Sequence, residues 1–98
     1  MEIIKAVVDN KIELIKELIQ NGANVNAKDD DGHTALHWAS LVGRTAIAEL
    51  LIQHGADINA KNDQGHTALH EASLVGRTAI AKMLIENGAD VNLSLIHI

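Results

Sequence analysis

The stretch from Gly32 to Ala48, GHTALHWASLVGRTAIA, returns from Gly65 to Ala81 as GHTALHEASLVGRTAIA, 33 residues later, with Glu71 in place of Trp38. IQNGANVNAK at 19–28, IQHGADINAK at 52–61 and IENGADVN at 85–92 keep the same interval. A fixed period of this size marks stacked supersecondary units, each too small to bury its apolar face alone and each sheltered by its neighbours.

The residues inside one period specify what the unit is. Thr34 is placed to cap a helix by accepting from the backbone N–H three residues on, and His37 stands at that third position, where its ring can reach back to Thr34. A short helix is predicted to run to about Val42 and to stop at Gly43, which suits the left-handed C′ conformation. A second helix is predicted over about Thr45 to His54, with Ile47, Ala48, Leu50 and Leu51 on one stripe. Gly55 ends it, and ADINAKNDQG carries the chain out and back as a turn-rich hairpin. The expected unit is therefore helix, tight turn, helix, projecting loop.

Composition agrees with this reading. Of the 98 residues 47% are apolar, yet Trp38 is the only aromatic, so burial falls to Leu, Ile, Val, Ala and two Met. Ala and Leu are strong helix formers, and an aliphatic, Ala-rich interior suits closely packed helices. The absence of Cys rules out disulfides and fits a reducing compartment. With 13 acidic and 8 basic residues the chain carries a formal charge of −5 and no cluster of Lys and Arg, which argues against nucleic-acid binding. Asp29-Asp30-Asp31 would repel a phosphate backbone and reads as a solvated loop tip. MEIIKAVVDNK lacks the long apolar run of a signal peptide, and no window approaches the roughly 20 apolar residues of a membrane span. A cytoplasmic location without membrane contact is expected.

GHTALHWA and GHTALHEA, each followed by Gly43 or Gly76, an aliphatic run, and HGADIN or NGADVN, make the chain resemble the ankyrin-repeat family over about residues 2–92. The resemblance implies an all-α ankyrin-repeat solenoid: a capping unit over 1–28, repeats over 29–61 and 62–92, and a tail at 93–98. It also implies a non-enzymatic module that binds a protein partner through a concave groove of hairpin tips and first helices. In the family the residue after the His is variable and faces that groove. Trp38 and Glu71 hold this position here, with Lys5 as their counterpart in the first unit. Groove positions by the same resemblance are Asp30, Asp31 and His33 on one hairpin, and Asp63, Gln64 and His66 on the next. Leu41, Val42, Leu74 and Val75 end the first helices, either as groove contacts or as packing between repeats. Trp38 is read as an apolar anchor, the alternative being that its ring covers the neighbouring unit. The acidic side chains would favour a partner with basic residues. Two rival readings stay open: the targeting arm of a longer enzyme or effector, and a structural spacer.

The two ends differ. The N-terminal segment keeps Ile3, Ala6, Val7, Leu14, Ile15 and Leu18 apolar, with charge among them, as expected of a terminal unit with one wet face and a true start. At the other end LSLIHI stands where a polar cap would, so Ile80, Met83, Leu84 and the last helix pair are expected to leave apolar surface uncovered. A monomer is expected, with self-association open through that face. LSLIHI is also what CTG-TCT-CTT-ATA-CAC-ATC encodes in frame, a sequence resembling a library-preparation transposon end. Residues 93–98 are therefore read as non-native and the natural chain as longer.

Little in the sequence points to chemistry. His33 with His37, and His66 with His70, have i, i+4 spacing, but these histidines belong to the capping pattern, and no Cys or repeated carboxylate completes a ligand set. Ser40 and Ser73 lie three residues after a His without an evident oxyanion site. The glycines form no phosphate-cradling loop. No cofactor, metal or catalytic residue is expected.

Both repeats depart from the family's usual Thr-Pro-Leu-His by reading Thr-Ala-Leu-His. Proline at the first helical position loses no hydrogen bond and restrains the unfolded chain. Ala35→Pro combined with Ala68→Pro is predicted to stabilise by about 0.4–1 kcal/mol per site, read from the denaturant midpoint. A lowered midpoint would place the helix starts elsewhere.

Overall fold

Among the described residues, alternation of short helices with tight turns produces six helices in three pairs: α1 (Glu2–Val8) with α2 (Ile12–Gln20), α3 (Ala35–Val42) with α4 (Thr45–Gln53), and α5 (Ala68–Leu74) with α6 (Thr78–Glu86). The computed structural model describes residues 2–91, so the expectation about the tail at 93–98 falls outside the described residues. The all-α stack is as the sequence predicts. The first helices form one layer, with α3 packed on α1 on one side and α5 on the other, while the second helices lie behind them. The body is elongated, 38 × 25 × 21 Å. None of the described helices is long and apolar enough to cross a membrane.

Each helix start has a local cause. Thr34 is extended, with φ −92° and ψ 172°, and its hydroxyl accepts from the His37 N–H while the His37 ring accepts from the Thr34 N–H, so the reciprocal cap forms. Thr67 likewise accepts from the His70 N–H. Gly43 ends α3 at φ 77°. Asn10, its counterpart after α1, adopts φ 57°, a left-handed conformation that Asn tolerates better than most side chains.

The core runs the length of the stack. Ile15, Leu36, Ile47, Leu51, Leu69, Ile80 and Leu84 are fully buried, each contributing about 1.5–3 kcal/mol. Ala35, Ala39, Ala48, Ala68 and Ala72 are also buried, and their small side chains let the helices approach. Ile80 and Leu84 correct the expectation for the last unit. They point inward between α5 and α6, and the uncovered apolar surface is instead Leu74, Val75, Ile85 and Val91. Ile85 and Val91 line an open groove of about 530 Å³ together with Leu69, Ala72 and Ala81.

The register between pairs is set by polar bonds that recur with the period. Arg44 Nη2 donates to the Val8 carbonyl at 3.0 Å, and Arg77 Nε to the Leu41 carbonyl at 3.3 Å. Asn26 donates to the Gly55 carbonyl and accepts from the Asp57 N–H, and Asn59 does the same with Gly88 and Asp90. The hairpins dock backbone to backbone, the Asp63 N–H donating to the Asp31 carbonyl at 3.0 Å.

This docking makes Gly32 and Gly65 different although their sequence contexts match. Both have φ 79°, but a Cβ on Gly32 would stand 2.8 Å from the Asp63 nitrogen, whereas one on Gly65 would meet nothing within 4 Å. Gly65→Ala should therefore cost about 1 kcal/mol, the left-handed penalty alone. Gly32→Ala should cost at least about 1 kcal/mol more, because the hairpins must separate. Urea denaturation of the two variants checks this, and equal losses would contradict the hairpin docking.

Candidate functional site

The expected partner-facing residues sit on two hairpins and on the first helices behind them. Each hairpin closes on itself through backbone bonds: the Asp29 N–H donates to the His33 carbonyl and the Asn62 N–H to the His66 carbonyl, both at 2.9 Å. One side-chain atom then fixes each tip. Asp29 Oδ1 accepts from the N–H groups of Asp31 and His33 at 3.0 and 2.9 Å. Asn62 Oδ1 accepts from those of Gln64 and His66 at 2.9 and 3.0 Å. Such Asx turns place the intervening side chains on the rim.

Behind the tips, histidines join one unit to the next. His37 Nδ1 accepts from the Thr34 N–H, so the proton sits on Nε2, which donates to the His66 carbonyl of the following hairpin at 2.8 Å. The ring is buried, and loss of solvation holds its pKa below the ordinary imidazole value. His33 and Lys28 push the same way, against the His66 carbonyl and Glu71. Asn62 Nδ2 donates to His33 Nε2 at 3.2 Å, a second tie across the hairpins. His33 packs edge-on to His37 and tilted against Trp38, and His66 stacks on His70 with ring centroids 3.7 Å apart.

Trp38 and Glu71 both turn back to their own hairpins. Trp38 is half-buried, and its indole N–H donates to Asp29 Oδ2 at 2.9 Å. Glu71 is buried, only 7% exposed, and its Oε1 accepts from Asn62 Nδ2 at 2.9 Å and faces His66 Nδ1 at 3.2 Å. The Glu71 carboxylate is thus held inside the protein by its own hairpin and is not a free surface charge. For Asp29, burial acts to raise the pKa, but hydrogen bonds from Trp38, His33 and Asp31, with His33 close by, outweigh it and leave the carboxyl below its ordinary range.

The remaining expected residues differ in exposure. Lys5, Asp30, Asp31, Asp63 and Gln64 are exposed, and Asp30, Asp31 and Asp63 share the rim of adjacent tips without an ion pair to Lys or Arg among the described residues. His33 and His66 are half-buried within the network above. Leu41 and Val42 are half-buried, whereas their counterparts Leu74 and Val75 are 59% and 49% exposed. Arg77 of the repeat packed after α3 bonds the Leu41 carbonyl, and Leu41 and Val42 are partly covered there.

Sequence reasoning missed Asp29, Asn62, Arg44 and Arg77. A signal for the first two exists: residues 29–48 and 62–81 differ at three places, Asp29/Asn62, Asp31/Gln64 and Trp38/Glu71, and the first and last of these touch each other. It also missed the closeness of carboxylates to histidines. Asp29, Asp31 and His33 bring potential ligand atoms within 4.8 Å of one another, but Asp29 already accepts three N–H groups.

A family model described as ankyrin repeats (3 copies) matches residues 3–94. An ankyrin repeat protein of fowlpox virus (strain NVSL) is 36% identical over 50 residues, which is 51% of this chain and 36% of the viral protein. The matched part of the chain thus spans about a third of that relative.

The depressed pKa of His37 has a consequence for stability. The unfolded chain takes up this proton near pH 6.5 and the folded chain only at lower pH, so between those values the unfolded state holds more protons and stability rises with pH. Acidification from pH 7.5 to 5.5 should lower the unfolding free energy read from urea denaturation, by up to roughly 1.4 kcal/mol per pH unit for one proton. The Asp29 contribution is lost only further down, below about pH 4. His37→Gln should flatten the limb between pH 7.5 and 5.5. A midpoint that holds or rises on acidification would contradict the neutral, buried ring.

Proposed function

Because the chain belongs to the ankyrin-repeat family, whose members generally act as protein-interaction modules, we propose that it is a non-enzymatic binding module that takes a protein partner along its hairpin rim. The observation that carries this reading is the row of Asp30, Asp31 and Asp63. These carboxylates are exposed on two tips locked together by the Asp63 N–H to Asp31 carbonyl bond, and no internal cation among the described residues neutralises them. A fixed row of like charge attracts a segment of opposite charge and accelerates its encounter. Because the tips are held by Asx turns and by the neighbouring hairpin, little conformational entropy is lost on binding. The partner is a protein segment bearing Lys or Arg. Gln64 follows Asp63 in the second tip, and His33, half-buried, stands two residues beyond Asp31 in the first.

The units at 29–61 and 62–92 would act together, since the row spans their two hairpins, with the unit at 1–28 covering the inner end of the stack. Random peptides displayed on phage and selected on the immobilised chain should be enriched in Lys and Arg. A selected peptide should lose at least fivefold in affinity on Asp30→Asn/Asp31→Asn/Asp63→Asn, and the loss should shrink as salt is raised. Selection without a charge bias, or unchanged affinity for the triple variant, would sink the proposal.

A further inference from the structure

The changes that coincide between the two near-identical repeats concern the atoms that hold the tips. Asp29 and Asn62 do the same work with Oδ1, each accepting two hairpin N–H groups. Their remaining atoms have opposite polarity. Asp29 Oδ2 only accepts, and it meets an indole N–H, which only donates. Asn62 Nδ2 only donates, and it meets a carboxylate, which only accepts.

We infer that residues 29 and 38, and residues 62 and 71, are matched pairs that set the hairpin tips, so that Trp38 and Glu71 are positioning residues for the acidic row and not contacts for the partner. Either mixed combination fails. Asp opposite Glu sets two carboxylates against each other, and Asn opposite Trp sets two donors head to head. Leaving a buried polar group without its partner costs far more than the matched bond gains, which explains why the two positions change together. The first helices supply the fixed point. Trp38 and Glu71 sit one helical turn beyond the caps at Thr34 and Thr67, so the hairpin is anchored to a helix that is itself capped. Asp30, Asp31 and Asp63 lie immediately beyond the anchored residue in each tip, so the pair determines where those carboxylates stand. The importance of that placement rests on the binding role proposed for the row, whereas the pairing itself does not.

A double-mutant cycle with little change in size isolates the pair. Asn62→Asp faces a carboxylate with the Glu71 carboxylate, and should shift the unfolding equilibrium at least fivefold toward the unfolded chain and speed exchange of the Gln64 and His66 amides at least tenfold. Glu71→Gln added to Asn62→Asp restores one donor facing one acceptor and should recover most of both losses. A second cycle, Trp38→Glu alone and with Asp29→Asn, should show the same rescue in the other repeat. A double variant no better than Asn62→Asp, or Asn62→Asp indistinguishable from the parent, would overturn the pairing. These readouts need no partner, so a failure of the acidic-row reading is told apart from a failure of the pairing. Glu71→Gln alone should bind a phage-selected basic peptide within twofold of the parent. A fivefold loss with amide exchange unchanged would make Glu71 a contact residue and overturn the positioning role.

Discussion

No helix pair in this chain can shelter its own apolar stripe, and everything else follows from the need to place a neighbour against it in one register. Aliphatic burial supplies the drive but does not fix the alignment, because a layer of Leu, Ile and Ala is nearly as well buried after a small slide. Alignment comes from hydrogen bonds that repeat with the sequence: the Arg44 and Arg77 clips, the two-way amide contacts of Asn26 and Asn59, and the backbone bond from Asp63 to Asp31. Each is modest in net worth, about 1 kcal/mol. The side-chain bonds among them lie in exposed positions, so they bias the stack toward one alignment without sealing polar groups in its interior.

The histidines show how such a network is kept consistent. His37 closes the cap of its own helix with one nitrogen and reaches the next hairpin with the other, so a single tautomer serves both local structure and stacking. Protonation would remove the acceptor that Thr34 needs, which is why burial and function of the ring both require the neutral form. The same carbonyl of His66 also accepts from the Asn62 N–H that closes its own hairpin. Tip geometry, helix capping and contact between repeats therefore share atoms.

Much of this was legible beforehand. The period gave the stack, and Thr34, His37 and Gly43 gave the boundaries of the first helices, because capping and left-handed turns are local and leave a residue signature. The inward facing of Ile80 and Leu84 was not read correctly. Both are buried in the core, whereas Leu74, Val75 and Ile85 of the same unit are exposed. The site was only partly legible. Exposure of Asp30, Asp31 and Asp63 follows from their being hairpin tips, but the burial of Glu71 could not be seen without Asn62 beside it, nine residues earlier in the chain.

That last case bears on how variation inside a repeat is understood. A position that is Lys5, Trp38 and Glu71 in successive units suggests a surface free to change, since one core role seldom accepts an ammonium, an indole and a carboxylate. The structure separates the three. Lys5 is exposed and holds no hairpin among the described residues, while Trp38 and Glu71 are each matched to a hairpin partner of opposite hydrogen-bonding polarity. Freedom at such a position belongs to the pair and not to the residue. The constraint is on donor meeting acceptor, and it is invisible until the two segments are set side by side.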